Sequence, residues 1–177
     1  MEGKKRLFLV DGSALAYRAY FAFVKNPLLT SKGENTSAVF GFTNAILRLL
    51  REEKPDYFAI VFDTGAPTFR HLEFADYKAT RQKMPEEMRE QMVRIREVIE
   101  ALGIHVLEVE GFEADDVMGA LAQKAKEKGL EAILVTGDKD FLQLVDESVK
   151  VLHPHRGGSG QMELIDRERV REKFGVE

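Results

Sequence analysis

Apolar positions along the chain alternate between two periods, and each change of period is marked by a turn or capping residue. Residues 7–10 form a short apolar run that reads as a buried strand. From Gly12 to Phe23 the apolar face broadens, with Leu15, Tyr17, Ala19, Phe21 and Phe23, and predicts a helix. Residues 24–36 contain Pro27, Gly33 and Asn35 and read as a loop. Thr36 or Ser37 then caps a helix to about Glu53, with Val39, Phe42, Ile46, Leu49 and Leu50 on one side. Pro55-Asp56 breaks the chain before a strand at 57–62. Residues 64–84 have no clean period. Pro85 suits the first turn of a helix to about Leu102, with Met88, Met92, Ile95 and Ile99 on one face.

The second half repeats the pattern. A short strand at 104–109 precedes a helix from Glu113 to Lys128, closed by Gly129. A strand at 132–136 leads into a short helix from Asp138 to Leu144. Residues 149–152 and 161–165 form a hairpin across the turn Gly157–Gly160, and Asp166 caps a last helix. Repeated strand–helix units predict an α/β fold: a mostly parallel central sheet flanked by helices on both faces, in one domain over residues 1–177. Ligands of such sheets bind at the carboxyl ends of the strands, near a switch in strand order.

Those ends are acidic. The first strand runs into Asp11, the second into Asp63, and the fourth into Asp138, with Asp140 two residues on. Glu113, Asp115 and Asp116 open the helix between. Each has an ordinary local explanation. Asp11 and Asp138 can cap the helices that follow, Asp63 can serve a turn before Gly65, and acids in a first turn suit the helix dipole. Together they form a set of hard oxygen donors from four segments at one edge, where uncompensated carboxylates repel. That set suits Mg²⁺ or Mn²⁺ better than Zn²⁺. A pair of such ions can activate water and stabilise the leaving oxygen of a phosphodiester.

Composition narrows the partners. The chain has 177 residues, 44% apolar and 32% charged, enough for one domain with a real core. Its net charge of −4 makes no general case for a polyanion partner, so a nucleic-acid surface must come from local charge. The absence of cysteine excludes disulfides and thiolate metal sites and suits a reducing cytoplasm. No long apolar run follows Met1–Arg6, so neither a signal peptide nor a membrane span is predicted. Local basic charge does occur between Phe69 and Lys83, which mixes Arg70, Lys78, Arg81 and Lys83 with aromatics just after Asp63. In a helix, Lys78 and Arg81 would share a face and could neutralise a phosphate; as a solvated loop they would do nothing of the kind. Tyr17 can offer a ring for base stacking or simply fill the core. Met84, Met88 and Met92 read as core packing rather than a binding groove, and His153-Pro154-His155 as a strand-end loop rather than a metal pair.

The motifs resemble those of a known family. Leu9-Val10-Asp11-Gly12-Ser13 with Ala16-Tyr17-Arg18, Val61-Phe62-Asp63 with Thr68-Phe69-Arg70-His71, Tyr77-Lys78-Ala79-Thr80-Arg81, Gly111-Phe112-Glu113-Ala114-Asp115-Asp116 and Thr136-Gly137-Asp138-Lys139-Asp140 are similar, in order, to the 5′-nuclease domain of bacterial DNA polymerase I. That domain belongs among the flap endonucleases, with a PIN-like (resolvase-like) three-layer α/β fold. The resemblance implies a structure-specific 5′ nuclease acting in replication and repair on DNA with a 5′ flap or free 5′ end, or on RNA primers, in some relatives joined to a polymerase domain. It implies that Asp11, Asp63, Glu113, Asp115, Asp116, Asp138 and Asp140 hold divalent ions, two in a complete enzyme. Lys78 and Arg81 then act as a catalytic gateway to the scissile phosphate in an arch at about 64–84. Tyr17 stacks a base, and Arg70 contacts DNA.

In the family a helical, helix-hairpin-helix module follows, opening with a Gly-Asp-x-x-Asp-Asn-type motif that completes the acidic site. This sequence stops at Glu177 without that motif. The expectation is an N-terminal lobe with one metal site kept, the second weakened, poor DNA affinity, and activity that is slow, Mn²⁺-dependent or absent. A noncatalytic lobe that binds nucleic acid or docks a partner is the alternative. A phosphoacceptor receiver domain also gathers aspartates at strand ends, but it is shorter and lacks a basic insert.

Overall fold

The computed structural model describes residues 3–74, 77, 84–154 and 162–175. Among the described residues, six strands form one sheet in the order β3-β2-β1-β4-β5-β6, where β1 is Arg6–Asp11, β2 Tyr57–Val61, β3 His105–Leu107, β4 Glu131–Val135, β5 Val149–Pro154 and β6 Met162–Ile165. All neighbours are parallel except β5 and β6. The central β1 places Val10 opposite both Ile60 and Val135, and all three are buried on both sides of the sheet. That double burial is why these strands read as continuous apolar runs rather than alternating ones.

Successive strand residues point to opposite faces, and the two cores follow. Phe8, Val10, Ile60, Phe62, Ile133 and Val135 pack under α1 (Gly12–Ala22), α2 (Ser37–Glu53) and α4 (Glu86–Ala101). Leu9, Ala59, Val61, Ala132 and Leu134 pack under α5 (Ala114–Glu127) and the 3-10 helix Lys139–Leu144. The topology explains the division. The chain steps outward from β1 to β2 to β3, then returns past β1 to β4. Right-handed crossovers in opposite directions put their helices on opposite faces. The reversal leaves a switch point between β1 and β4.

Local chemistry sets the element ends, with some departures from expectation. Thr36 sits at the start of α2, but its hydroxyl donates to Leu28 O at 3.2 Å and caps nothing. The open Ala38 N–H donates instead to Gln91 Oε1 of α4 at 2.6 Å. The edge strand β3, expected over 104–109, covers only His105–Leu107 and pairs with β2. The segment with no clean period contains a helix, α3 (Phe69–Glu73), started by a capping box between Thr68 and His71. The last helix, α6 (Arg167–Phe174), begins where Asp166 accepts from Arg169 N at 2.9 Å. The expected turn Gly157–Gly160, with His155, Lys78 and Arg81, lies outside the described residues. Among the described residues, no helix is long and apolar enough to cross a membrane.

One close approach fixes where α1 leaves the sheet. A Cβ on Gly12 would stand 2.5 Å from the Phe62 ring and 2.7 Å from Ile60, so only glycine lets α1 start this near β2. Gly12→Ala should lower stability by about 1–3 kcal/mol, the usual cost of overpacking. Gly119→Ala, which meets only Leu144 at 3.6 Å, should be neutral or slightly stabilising in helix α5. Equal denaturation midpoints for the two variants would contradict this account.

Candidate active site

The acids lie at the carboxyl edge of the parallel strands because each strand there hands over to a helix start. Asp11 ends β1 and caps α1, its Oδ1 accepting from Ala14 N at 2.9 Å. Its Oδ2 accepts from the Thr136 hydroxyl at 3.2 Å, across the switch point. Asp138 caps the 3-10 helix by accepting from Asp140 N at 2.9 Å, and its own N–H donates to Thr136 Oγ1 at 3.1 Å. Thr136 therefore joins Asp11 to the Asp138 turn, a role the sequence reading did not assign. Its place directly after a buried strand, two residues before an acid, is the available signal.

Asp63 serves a distant helix rather than a local turn. Its Oδ1 accepts from Ala114 N, the first residue of α5, at 2.9 Å. Glu113 and Asp116 form the reciprocal capping box of the same helix. Asp11 and Asp138 thus have the capping roles read from sequence, and Glu113, Asp115 and Asp116 stand at the start of α5 as read, while Asp63 departs from its expected turn; together these caps bring the carboxylates to one edge. Hydrogen bonds to charged acceptors contribute roughly 1.5–3 kcal/mol each, enough to hold a carboxylate in an otherwise repulsive place.

The carboxylates face two adjoining clefts. Asp11, Asp63, Glu113, Asp115 and Asp138 line one of about 520 Å³, which also takes in Tyr17. Asp116 and Asp140 face a second, of about 430 Å³, with Arg70 and Tyr77. Glu113 and Asp115 border both. Arg70 explains the split: its guanidinium grips both oxygens of Asp116 at 2.6 and 2.7 Å and lies 3.9 Å from Glu113. The bond from Phe69 N to Gly111 O at 3.2 Å draws α3 against the start of α5, which brings Arg70 within reach. Hydrogen bonding to Asp116 raises the Arg70 pKa further, against the cost of burial. The Tyr77 hydroxyl lies 3.2 Å from Glu113 Oε2. Tyr17 is half-buried on α1 with its ring stacked on Phe21 at 6.2 Å. Met88 is core as expected, whereas Met84 and Met92 also line the first cleft. Arg96, absent from the sequence reading, lines it too.

In the first cleft the charge of Asp11 is opposed by its surroundings. Burial raises the Asp11 pKa most, and the neighbouring Asp63 and Asp138 carboxylates raise it further, against its two hydrogen bonds. A set of oxygen donors under mutual repulsion fits a hard divalent cation by chemistry and by charge. Among the described residues, no three carboxylates or histidines stand as a ready-made cage.

The folded chain holds the Asp11 proton more tightly than an unfolded one does. Its contribution to stability is therefore full below the ordinary value of 3.8 and is lost as pH rises through the raised value. Asp11→Asn, which keeps an acceptor for the cap, should stabilise the metal-free chain at neutral pH. The gain should shrink as pH falls toward 4. Thermal melts in a chelator across that range check this; a wild type more stable than the variant at neutral pH would refute it.

Comparison with known proteins gives the chain its relatives. Residues 6–175 match the family described as the 5′-3′ exonuclease, N-terminal resolvase-like domain. The DNA polymerase I of Chloroflexus aurantiacus is 48% identical over 170 residues, 95% of this chain and 18% of that protein. A 5′-3′ exonuclease of Aquifex aeolicus is 43% identical over 98% of this chain and 57% of its own length. The chain thus spans less than two thirds of either relative. The flap endonuclease of bacteriophage T5, solved with DNA and metal ions, superposes with a TM-score of 0.70 at 18% identity, over 97% of this chain and 61% of that one. The chain belongs to the 5′-3′ exonuclease N-terminal, resolvase-like domain family.

Proposed function

We propose that this chain is the metal-bearing lobe of a divalent-metal-dependent 5′ nuclease that hydrolyses DNA phosphodiesters at 5′ flaps or free 5′ ends. The observation that carries the reading is the meeting of Asp11, Asp63, Glu113, Asp115 and Asp138, from separate segments, in one cleft at the strand ends. Family membership and a fold relative solved with DNA and metal ions support it.

In this reading Asp11, Asp63, Glu113, Asp115 and Asp138 hold Mg²⁺ or Mn²⁺, with Asp116 and Asp140 assisting from the second cleft. The bound ions supply a lowered pKa for a coordinated water and offset charge on the phosphodiester oxygens. Thr136 keeps the Asp11 carboxylate oriented, and the N–H of Ala114 does the same for Asp63. Tyr17 offers its ring to a base beside the scissile phosphate. Lys78 and Arg81 contact that phosphate and stabilise its developing charge, the gateway role. Arg70 fixes Asp116 and Glu113 as one unit and gives the strand a cation at the second cleft. RNA primers as further substrates, a polymerase domain in the same polypeptide, and a duplex-gripping module belong to the same proposal. The grip of Arg70 on both oxygens of Asp116, with Glu113 close by, pairs those acids without a cation and favours a second reading, a noncatalytic lobe that binds nucleic acid or a partner.

Cleavage of a 5′-flap DNA with Mg²⁺ and with Mn²⁺ separates the two. Wild type should cut, while Asp63→Ala and Asp115→Ala should lose at least about a hundredfold in rate, as expected when charge stabilisation at a reacting phosphate is removed. Equal rates for all three chains would eliminate the site. Binding with no cleavage in either metal would favour the noncatalytic lobe.

A further inference from the structure

Among the described residues, Arg96 is the one basic side chain lining the cleft that holds Asp11, Asp63, Glu113, Asp115 and Asp138. A guanidinium beside several carboxylates would ordinarily turn toward them. This one is held otherwise. Its Nη2 bonds Glu108 Oε1 at 2.5 Å, just beyond the end of β3, and its carbon lies 4.8 Å from the centre of the Phe62 ring. The two anchors act on different parts of the group. Glu108 grips one end of the fork, and Phe62, the residue before Asp63, supports its plane. The pair is partly open to solvent, 42% and 33% exposed at its side chains, so it adds little to folding.

We infer that Arg96 is a phosphate-binding residue of the cleft, which grips the DNA backbone at a phosphate beside the one being cut. The inference rests on the nuclease reading and adds a contact to it. A strand entering this cleft brings negative charge against five carboxylates, and cations bound by those carboxylates serve the scissile position. A neighbouring phosphate needs its own counter-charge. A planar guanidinium with its plane supported and one edge fixed loses little freedom on binding, and its remaining N–H donors match phosphate oxygens. The Tyr17 ring and the Met84 and Met92 side chains line the same cleft, so apolar surface for a base adjoins the proposed phosphate contact.

Single-turnover cleavage of 5′-flap DNA with Mn²⁺, titrated with the full chain, tests this. Arg96→Gln should raise the half-saturating concentration by about tenfold, the loss of one charged hydrogen-bonded contact, with a much smaller change in rate at saturation. Its salt dependence should flatten by about 0.7–0.9 in the log–log slope, the share of one phosphate. Arg96→Lys should recover part of the affinity. Glu108→Gln, which loosens the anchor without removing the charge, should weaken binding less than Arg96→Gln. The rise in melting temperature on adding Mn²⁺ should be the same in Arg96→Gln as in wild type. An unchanged half-saturation and salt slope would overturn the assignment, and so would loss of the Mn²⁺ shift, which would make Arg96 a support for the acids. A wild-type chain that neither binds nor cuts overturns the nuclease reading and this inference with it.

Discussion

The edge of this sheet depends on a balance between like charges and backbone donors. Asp11, Asp63 and Asp138 sit where their carboxylates repel, and burial makes the Asp11 charge harder still to keep. Helix starts offset this. Ala14, Ala114 and Asp140 each donate a backbone N–H to one of the three acids. First-turn N–H groups have no partner within their own helix, so the acids satisfy them as the helices hold the acids in place. The Asp11 carboxyl keeps a raised pKa even so, and it faces a cleft.

This balance requires the parallel topology. A parallel strand followed by a helix delivers a strand end and a helix N-terminus at the same edge, repeatedly. The reversal of strand order at β1 then opens that edge between β1 and β4, where Thr136 links Asp11 to the Asp138 turn. The close approach of Gly12 to Phe62 sets the position of α1 and therefore of the Asp11 cap. Phe62 has three tasks in this arrangement: it packs in the core against Phe42, limits residue 12 to glycine, and supports Arg96 at the cleft wall.

The second cleft works by pairing. Arg70 neutralises Asp116 at two points and approaches Glu113. Its neighbour Tyr77 also reaches Glu113. The start of α5 is therefore a meeting place for the end of β2 through Asp63, for α3 through Arg70, and for Tyr77.

By itself the sequence determined the strands, the long helices and the edge at which the acids lie, because continuous apolar runs, capping residues and turn residues are local signals. It also supplied the candidate set, since aspartates that follow buried strands can be read in one dimension. It left capping and metal-binding roles open for these acids; the structure shows the caps, with Asp11 and Asp138 at their own helix starts and Asp63 at the start of α5. The short helix α3 was missed, since five residues are too few to show a period. Only the tertiary structure decided which acids share a cleft, that Asp63 caps α5 from 51 residues away, that Arg70 closes on Asp116, and that Arg96 lies over Phe62. Those are contacts between segments distant in sequence, set by strand order and helix packing. No local pattern encodes which partner a side chain will meet.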